Sequence, residues 1–198
     1  MPEFFEVVRR QRACRSFRPD AVADDLVEEV LEAATFAPSA ENRQPWEFVV
    51  VRDEEVRAHI GDLTRQAWRG GARSYSEARL SPRLLADVDR GAEGAVSAAP
   101  VLIVVCGNAE RAHEAAIPAS IFPAVQNLLL AADALGLGTA LTTLPTAFAV
   151  ELRELLALPD HVRPLAVVPL GHPARALGPP RREPVSDHAH RDRYGHRW

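Results

Sequence analysis

The run 119–135 is apolar nearly all round and is closed by Gly136-Leu137-Gly138, and it constrains the fold more than any other stretch. A helix facing solvent carries a polar side, which this run does not have. It must therefore lie centrally or be shared with a second subunit. The wider apolar segment 117–144 is broken by Pro118, Pro123, Gln126, Asn127 and Asp133, so it reads as a buried helix and a poor membrane span.

The other elements arrange themselves around that helix. Helical spacing of Leu26, Val27, Val30, Leu31 and Ala34 predicts an amphipathic helix over 24–36, with Asp24 as N-cap and Pro38 as its stop. Residues 46–51, Trp-Glu-Phe-Val-Val-Val, predict a strand buried on both faces. Val56, Ile60 and Leu63 fit a helix near 53–67, and 101–106 reads as a second buried strand. A shorter helix over 151–158 and a third strand over 164–170 follow. Gly70-Gly71, Arg73 and the polar residues up to Asp89 read as a mobile excursion, either a lid or a surface insertion. Residues 171–198 are rich in Pro and Arg without a core pattern, and such a tail needs something to lie on. A length of 198 residues suits one domain of α+β or three-layer α/β type.

Charge narrows the chemistry. The 23 basic and 27 acidic residues leave a net charge of −4, so general attraction to nucleic acid or to an anionic membrane is not expected. All 23 basic residues are Arg. With no lysine, a Schiff-base lysine and the lysine-containing phosphate loop are excluded, and any phosphate must be held by guanidinium groups and backbone amides. Cys14 and Cys106 are 92 positions apart and form no Cys-x-x-Cys pattern, and Met1-Pro2-Glu3 does not open a secretory leader. A reduced, cytoplasmic protein is the expectation.

Three groups of residues could carry a site. Arg12 and Arg15 belong to a stretch with five arginines in ten residues; in a helical turn or tight loop their forks could converge on one anion, and otherwise they form a solvated basic surface. Ser39, Asn42 and Gln44 stand on a proline-fenced loop that could face a planar heterocycle, or could satisfy its own backbone. Gly138 to Pro145 follows the buried helix and could turn free amides toward a developing negative charge, or could simply cap the helix. Asp187, His188, His190, Asp192 and His196 lack the spacing of a defined metal site and read as a solvated tail, so no metal is expected. Gly136-x-Gly138 is only a fragment of the dinucleotide-fold fingerprint and follows a helix instead of a strand. No hydrolytic triad or dyad has a local signature.

Four blocks in order, Arg12-Ala13-Cys14-Arg15-Ser16-Phe17, Ala37-Pro38-Ser39-Ala40-Glu41-Asn42-Arg43-Gln44-Pro45-Trp46, Ala119 to Thr139, and Gly171-His172-Pro173-Ala174 with Arg182-Glu183-Pro184, resemble the nitroreductase family of FMN-dependent oxidoreductases. The resemblance implies an α+β, three-layer α/β/α homodimer with a mixed, largely antiparallel sheet, two FMN sites at the subunit interface, and the tail 171–198 of a 1–198 domain packed on the partner. By position, it implies Arg12 and Arg182 at the flavin phosphate and Arg15 at the pyrimidine edge, N1 and O2. Ser39 and Asn42 would contact the ring from across the interface, lined by Pro38 and Ala40 and assisted by Gln44. The backbone of Leu141, Thr142, Thr143 and Leu144 would face the ring, with the Thr143 amide donating to flavin N5. Ala13 stands where many relatives carry Ser, so one phosphate contact is missing. The activity implied is ping-pong transfer of hydride from NAD(P)H through flavin N5 to a nitroaromatic, quinone or similar small acceptor. Alternatives are a specialised relative that dehalogenates, fragments flavin or dehydrogenates a heterocycle, or a flavin-binding protein without turnover.

Overall fold

The computed structural model describes residues 2–198. In chain order the helices are α1 (Phe4–Arg10), α2 (Asp24–Thr35), α3 (Glu54–Ala67), α4 (Arg73–Glu77), α5 (Pro82–Arg90), α6 (Val96–Ala98), α7 (Ile117–Ala134) and α8 (Ala149–Leu155). The strands are β1 (Trp46–Val51), β2 (Val101–Asn108), β3 (Gly138–Thr139) and β4 (Val162–Gly171). The sheet order is β1-β2-β4-β3 and every ladder is antiparallel. Its parallel component is a single bridge from Ala13 to Thr139. All eight residues of β2 are buried, and alternation decides which layer each one serves. Val101, Ile103 and Val105 face α2 and α7, whereas Leu102, Val104 and Cys106 face α3 and α8, giving the three α/β/α layers.

Two sequence expectations change. β1 is not buried on both faces: Val50 is 37% exposed and only Trp46 and Val51 are buried, because β1 is the edge of the sheet with one neighbour. Asp24 is not the N-cap of α2; Ala23 occupies that place without a side-chain bond, and the Asp24 carboxylate instead accepts from Arg52 Nη2 at 2.6 Å. The expected excursion after α3 is built from the two short helices α4 and α5. Ser81 caps α5 by accepting from the Leu84 amide, with Pro82 supplying a fixed φ at the first turn.

The apolar helix α7 lies beneath the sheet against α2, with Ile117, Ile121, Ala124, Val125, Leu128 and Ala132 in the core. It is the one described helix long and apolar enough to cross a membrane, and here it is the core helix of a packed layer. Ala119, Phe122 and Gln126 form an uncovered stripe on its outer side. Gly136 ends the helix at φ +78, where a β-carbon would be strained, while Leu137 N–H reaches back to Ala132 O. That reversal leads straight into β3 and the site.

Candidate functional site

The arginine block is extended, not helical. Cys14 N–H donates to Thr139 O at 2.7 Å, Arg18 N–H to His172 O at 2.8 Å, and Ala174 N–H to Ser16 O at 2.9 Å, so residues 13–18 run beside β3 and the end of β4. In an extended chain, residues three apart point to opposite sides. Arg12 and Arg15 therefore do not converge on one anion: Arg15 lines a cavity of about 300 Å³ on one side, and Arg12 lines a groove of about 610 Å³ on the other.

The cavity is bounded by Cys14 and Arg15, by the 140–144 segment, by Trp68 and Tyr75, and by Val88, Gly91 and Ala92. The segment Leu141 to Leu144 enters it with alternating amides. Thr142 N–H is spent on Val167 O at 3.0 Å and Leu144 N–H on the Thr142 hydroxyl at 3.2 Å. The amides of Leu141 and Thr143 have no acceptor among the described residues. Thr143 is solvent-exposed, so its free donor is open to a ligand. One wall is made by the excursion after α3. Wide π-type turns at Trp68–Ala72 and Gly91–Ala95 carry the chain into α4 and out of α5. Trp68 Nε1 and Arg73 Nε both donate to Asp89 Oδ1, at 2.9 and 3.0 Å. The Trp68 bond, assisted by Arg73, holds the Asp89 carboxyl below the usual carboxylate range.

Arg15 Nη1 donates to Asp87 Oδ2 at 3.0 Å, and Asp87 Oδ1 accepts from Arg90 Nη2 at 2.7 Å with Arg175 at 3.9 Å. Partial burial pushes the Asp87 carboxyl up, but Arg90 and Arg15 together outweigh it and hold the group below its ordinary value. Burial raises the Cys14 thiol against the opposing pull of a backbone hydrogen bond at Ser16 and of the Arg175 and Arg15 charges. Cys106, wholly buried in β2, is pushed up to about 12. Neither cysteine is a ready nucleophile.

The groove beside Arg12 also holds Arg10, Arg18, His172 and Arg175, with the 136–139 backbone. Arg12 Nη1 donates to Gly178 O at 3.0 Å, which brings the start of the tail against it. Arg182 lies in neither space and donates to its neighbour Arg181 O. The Pro38–Gln44 loop also lies outside both: Ser39 Oγ accepts from Gln44 N–H, Gln44 Nε2 donates to Asn42 Oδ1, and Ala40 N–H donates to Ser120 Oγ on α7. Glu41, Asn42 and Gln44 all have positive φ, near +50, a concentration of strain that loops keep where their shape is used. Within one subunit this loop is locally satisfied and does not meet Arg15. Ala13 is held by the bridge to Thr139. Trp68, Tyr75, Asp87 and Arg175 escaped the sequence reading; the helical spacing of Leu84, Leu85 and Val88 could have revealed the wall. Among the described residues no group of three or more His, Cys, Asp or Glu could hold a metal.

The sequence model of the Nitroreductase family matches residues 8–172. The chain belongs to the nitroreductase family. An NADH dehydrogenase/NAD(P)H nitroreductase of Methanothermobacter thermautotrophicus is 32% identical over 182 residues, covering 89% of this chain and 80% of its own. Iodotyrosine deiodinase 1 of Mus musculus is 29% identical over 184 residues, covering 87% of this chain and 63% of its own. Among solved structures, a nitroreductase in complex with FMN from Desulfovibrio desulfuricans superposes with a TM-score of 0.75 at 27% identity, covering 98% of this chain and 99% of that one. Membership of the family accounts for the three-layer architecture.

Proposed function

We propose that this nitroreductase-family chain is an FMN-dependent oxidoreductase that takes reducing equivalents from NAD(P)H and passes them to a nitroaromatic, quinone or similar small acceptor. The observation that carries the reading is the pair of unspent amides, Leu141 and Thr143, in a cavity that also receives Arg15, with a separate arginine-lined groove at Arg12. Hydrogen-bond donors beside one guanidinium suit a planar acceptor-rich ring, and a cluster of guanidiniums suits a phosphate. The cavity volume falls at the lower end of the usual ligand range of about 300–1,000 Å³.

On this reading the Thr143 amide donates at the N5 side of the ring, and Arg15 stabilises negative charge at the N1 and O2 edge. Arg12 holds the phosphate; Arg182, which lies outside the groove in the single chain, would have to swing in from the tail to join it. Bound FMN would supply the redox chemistry itself, accepting and delivering electrons at its ring. The protein orients the ring, keeps one face accessible and excludes water with Trp68, Tyr75 and Val88. Ser39, Asn42, Pro38, Ala40 and Gln44 act on the partner's site: the chain works as a homodimer, with α7's outer stripe and the 171–198 extension of one nitroreductase-like domain as contact surfaces. Two free, buried cysteines suit a reducing, cytoplasmic setting.

The test is the visible spectrum of the purified protein, before and after soaking in FMN, followed by NADH and NADPH oxidation with a quinone. Two flavin bands and sustained oxidation support the reading. Protein that remains colourless after soaking refutes it; flavin binding without oxidation would mark a binding protein. Likeness to the deiodinase favours a second reading, reductive dehalogenation of an aromatic, distinguished by halide release under the same reductant.

A further inference from the structure

Arg15 reaches its place through one partner. Its Nη1 bond to Asp87 is its only hydrogen bond among the described residues, and the two side chains are 24% and 20% exposed. Its aliphatic stem is confined as well: a β-carbon on Gly91 would come within 2.5 Å of Arg15 Cδ and 3.0 Å of Nε. Asp87 and Gly91 are four residues apart at the end of α5, so they stand on the same face of that helix. One contributes a carboxylate and the other an empty place, and between them they leave the arginine a single path. Among the described residues Nη2 and Nε have no hydrogen-bond partner, and Arg15 lines the cavity.

The surrounding charges give Asp87 a second effect. Arg15, Arg90 and Arg175 all approach its carboxylate, at 3.0, 2.7 and 3.9 Å, and it is their shared counter-ion. Without it three guanidinium groups would face one another across the cavity wall, and Arg15, which has no other side-chain partner among the described residues, would lose its anchor.

We propose that Asp87 is a positioning residue: it holds the Arg15 guanidinium at the cavity and, by the same bond, ties the α4–α5 wall to the arginine block. This rests on the flavin reading for what Arg15 meets, whereas the tie itself exists in the protein alone.

The experiment compares wild type, Asp87→Asn, Asp87→Glu, Arg15→Ala and the Arg15→Ala/Asp87→Asn double variant. FMN dissociation constants and the reduction potential of bound FMN are measured on each. Asp87→Asn should weaken FMN about tenfold, the scale of one charge-assisted hydrogen bond, and shift the potential. Asp87→Glu should restore most of the affinity. In the Arg15→Ala background the same Asp87→Asn change should alter neither quantity. Unchanged affinity and potential in Asp87→Asn, or an equal loss with and without Arg15, would overturn the proposal, since a merely structural wall residue acts whatever stands at position 15. A second readout needs no flavin: trypsin should cut the apo Asp87→Asn protein within 69–90 faster than the apo wild type, because that wall carries Arg73, Arg79, Arg83 and Arg90. Equal cleavage refutes the tie even if no variant binds FMN, in which case the flavin reading falls separately.

Discussion

Gly91→Ala is a substitution whose sign depends on whether Arg15 is pinned. Gly91 has helical dihedrals, φ −61 and ψ −51, so on propensity alone alanine should stabilise the protein by about 0.8–1.0 kcal/mol. Against this, the new methyl would stand 2.5 Å from Arg15 Cδ and 3.2 Å from Cγ, and overpacking of this kind costs about 1–3 kcal/mol when the neighbour cannot give way. The net expectation is destabilisation of about 1 kcal/mol, or a Tm lowered by about 2–4 °C for a chain of this size. The assay is thermal and urea unfolding of the apo protein at one fixed concentration, because any association makes Tm concentration-dependent. The same substitution is then made in Asp87→Asn, which frees the arginine to move. There the overlap should relax and the effect of Gly91→Ala should move toward stabilisation, with a coupling energy of about 1–2 kcal/mol. A higher Tm for Gly91→Ala in the wild-type background, together with no coupling to Asp87, would refute the confinement of Arg15.

Three further outcomes are expected. Arg12→Ala should weaken FMN by about 1.5–3 kcal/mol, tenfold to a hundredfold in Kd, and titration at undiminished affinity would remove Arg12 from the phosphate site. Cys14 and Cys106 are 2% and 0% exposed with raised thiol values, so a thiol reagent at neutral pH should label neither in the native protein and both after denaturation; fast native labelling would contradict the packing. The depressed Asp87 carboxyl contributes stability above its unfolded value of about 3.9, and this contribution is lost as pH falls through its lower folded value. The stability difference between wild type and Asp87→Asn should therefore be flat from about pH 6 to 5 and shrink below about pH 4, and a difference that grows on acidification would reverse the sign of this account.

Much of this could be read from the amino acids because periodicity and terminal signals are local. The helix over 24–36 is α2, the strand over 46–51 is β1 residue for residue, and the unbroken apolar run is the helix beneath the sheet. The arginine block, the strained 38–44 loop and the 141–144 turn were all recognisable as segments, since proline, glycine and charge mark them. Their grouping was less legible. Arg12 and Arg15 part company because the chain there extends along Thr139, and a β-bridge to a residue more than a hundred positions away leaves no trace in the local spacing.

What the sequence by itself determined is a set of elements and one exclusion: layers of helix on sheet, and anion chemistry confined to guanidiniums and amides because no lysine exists. Tertiary structure alone decided which donors remain unspent, since Thr142 finds Val167 while Thr143 finds nothing, and which carboxylate Arg15 meets. Local pattern reports how one segment wishes to bend and which face it hides. Hydrogen-bond satisfaction and ion pairing belong to pairs of segments, and only the packed chain settles them.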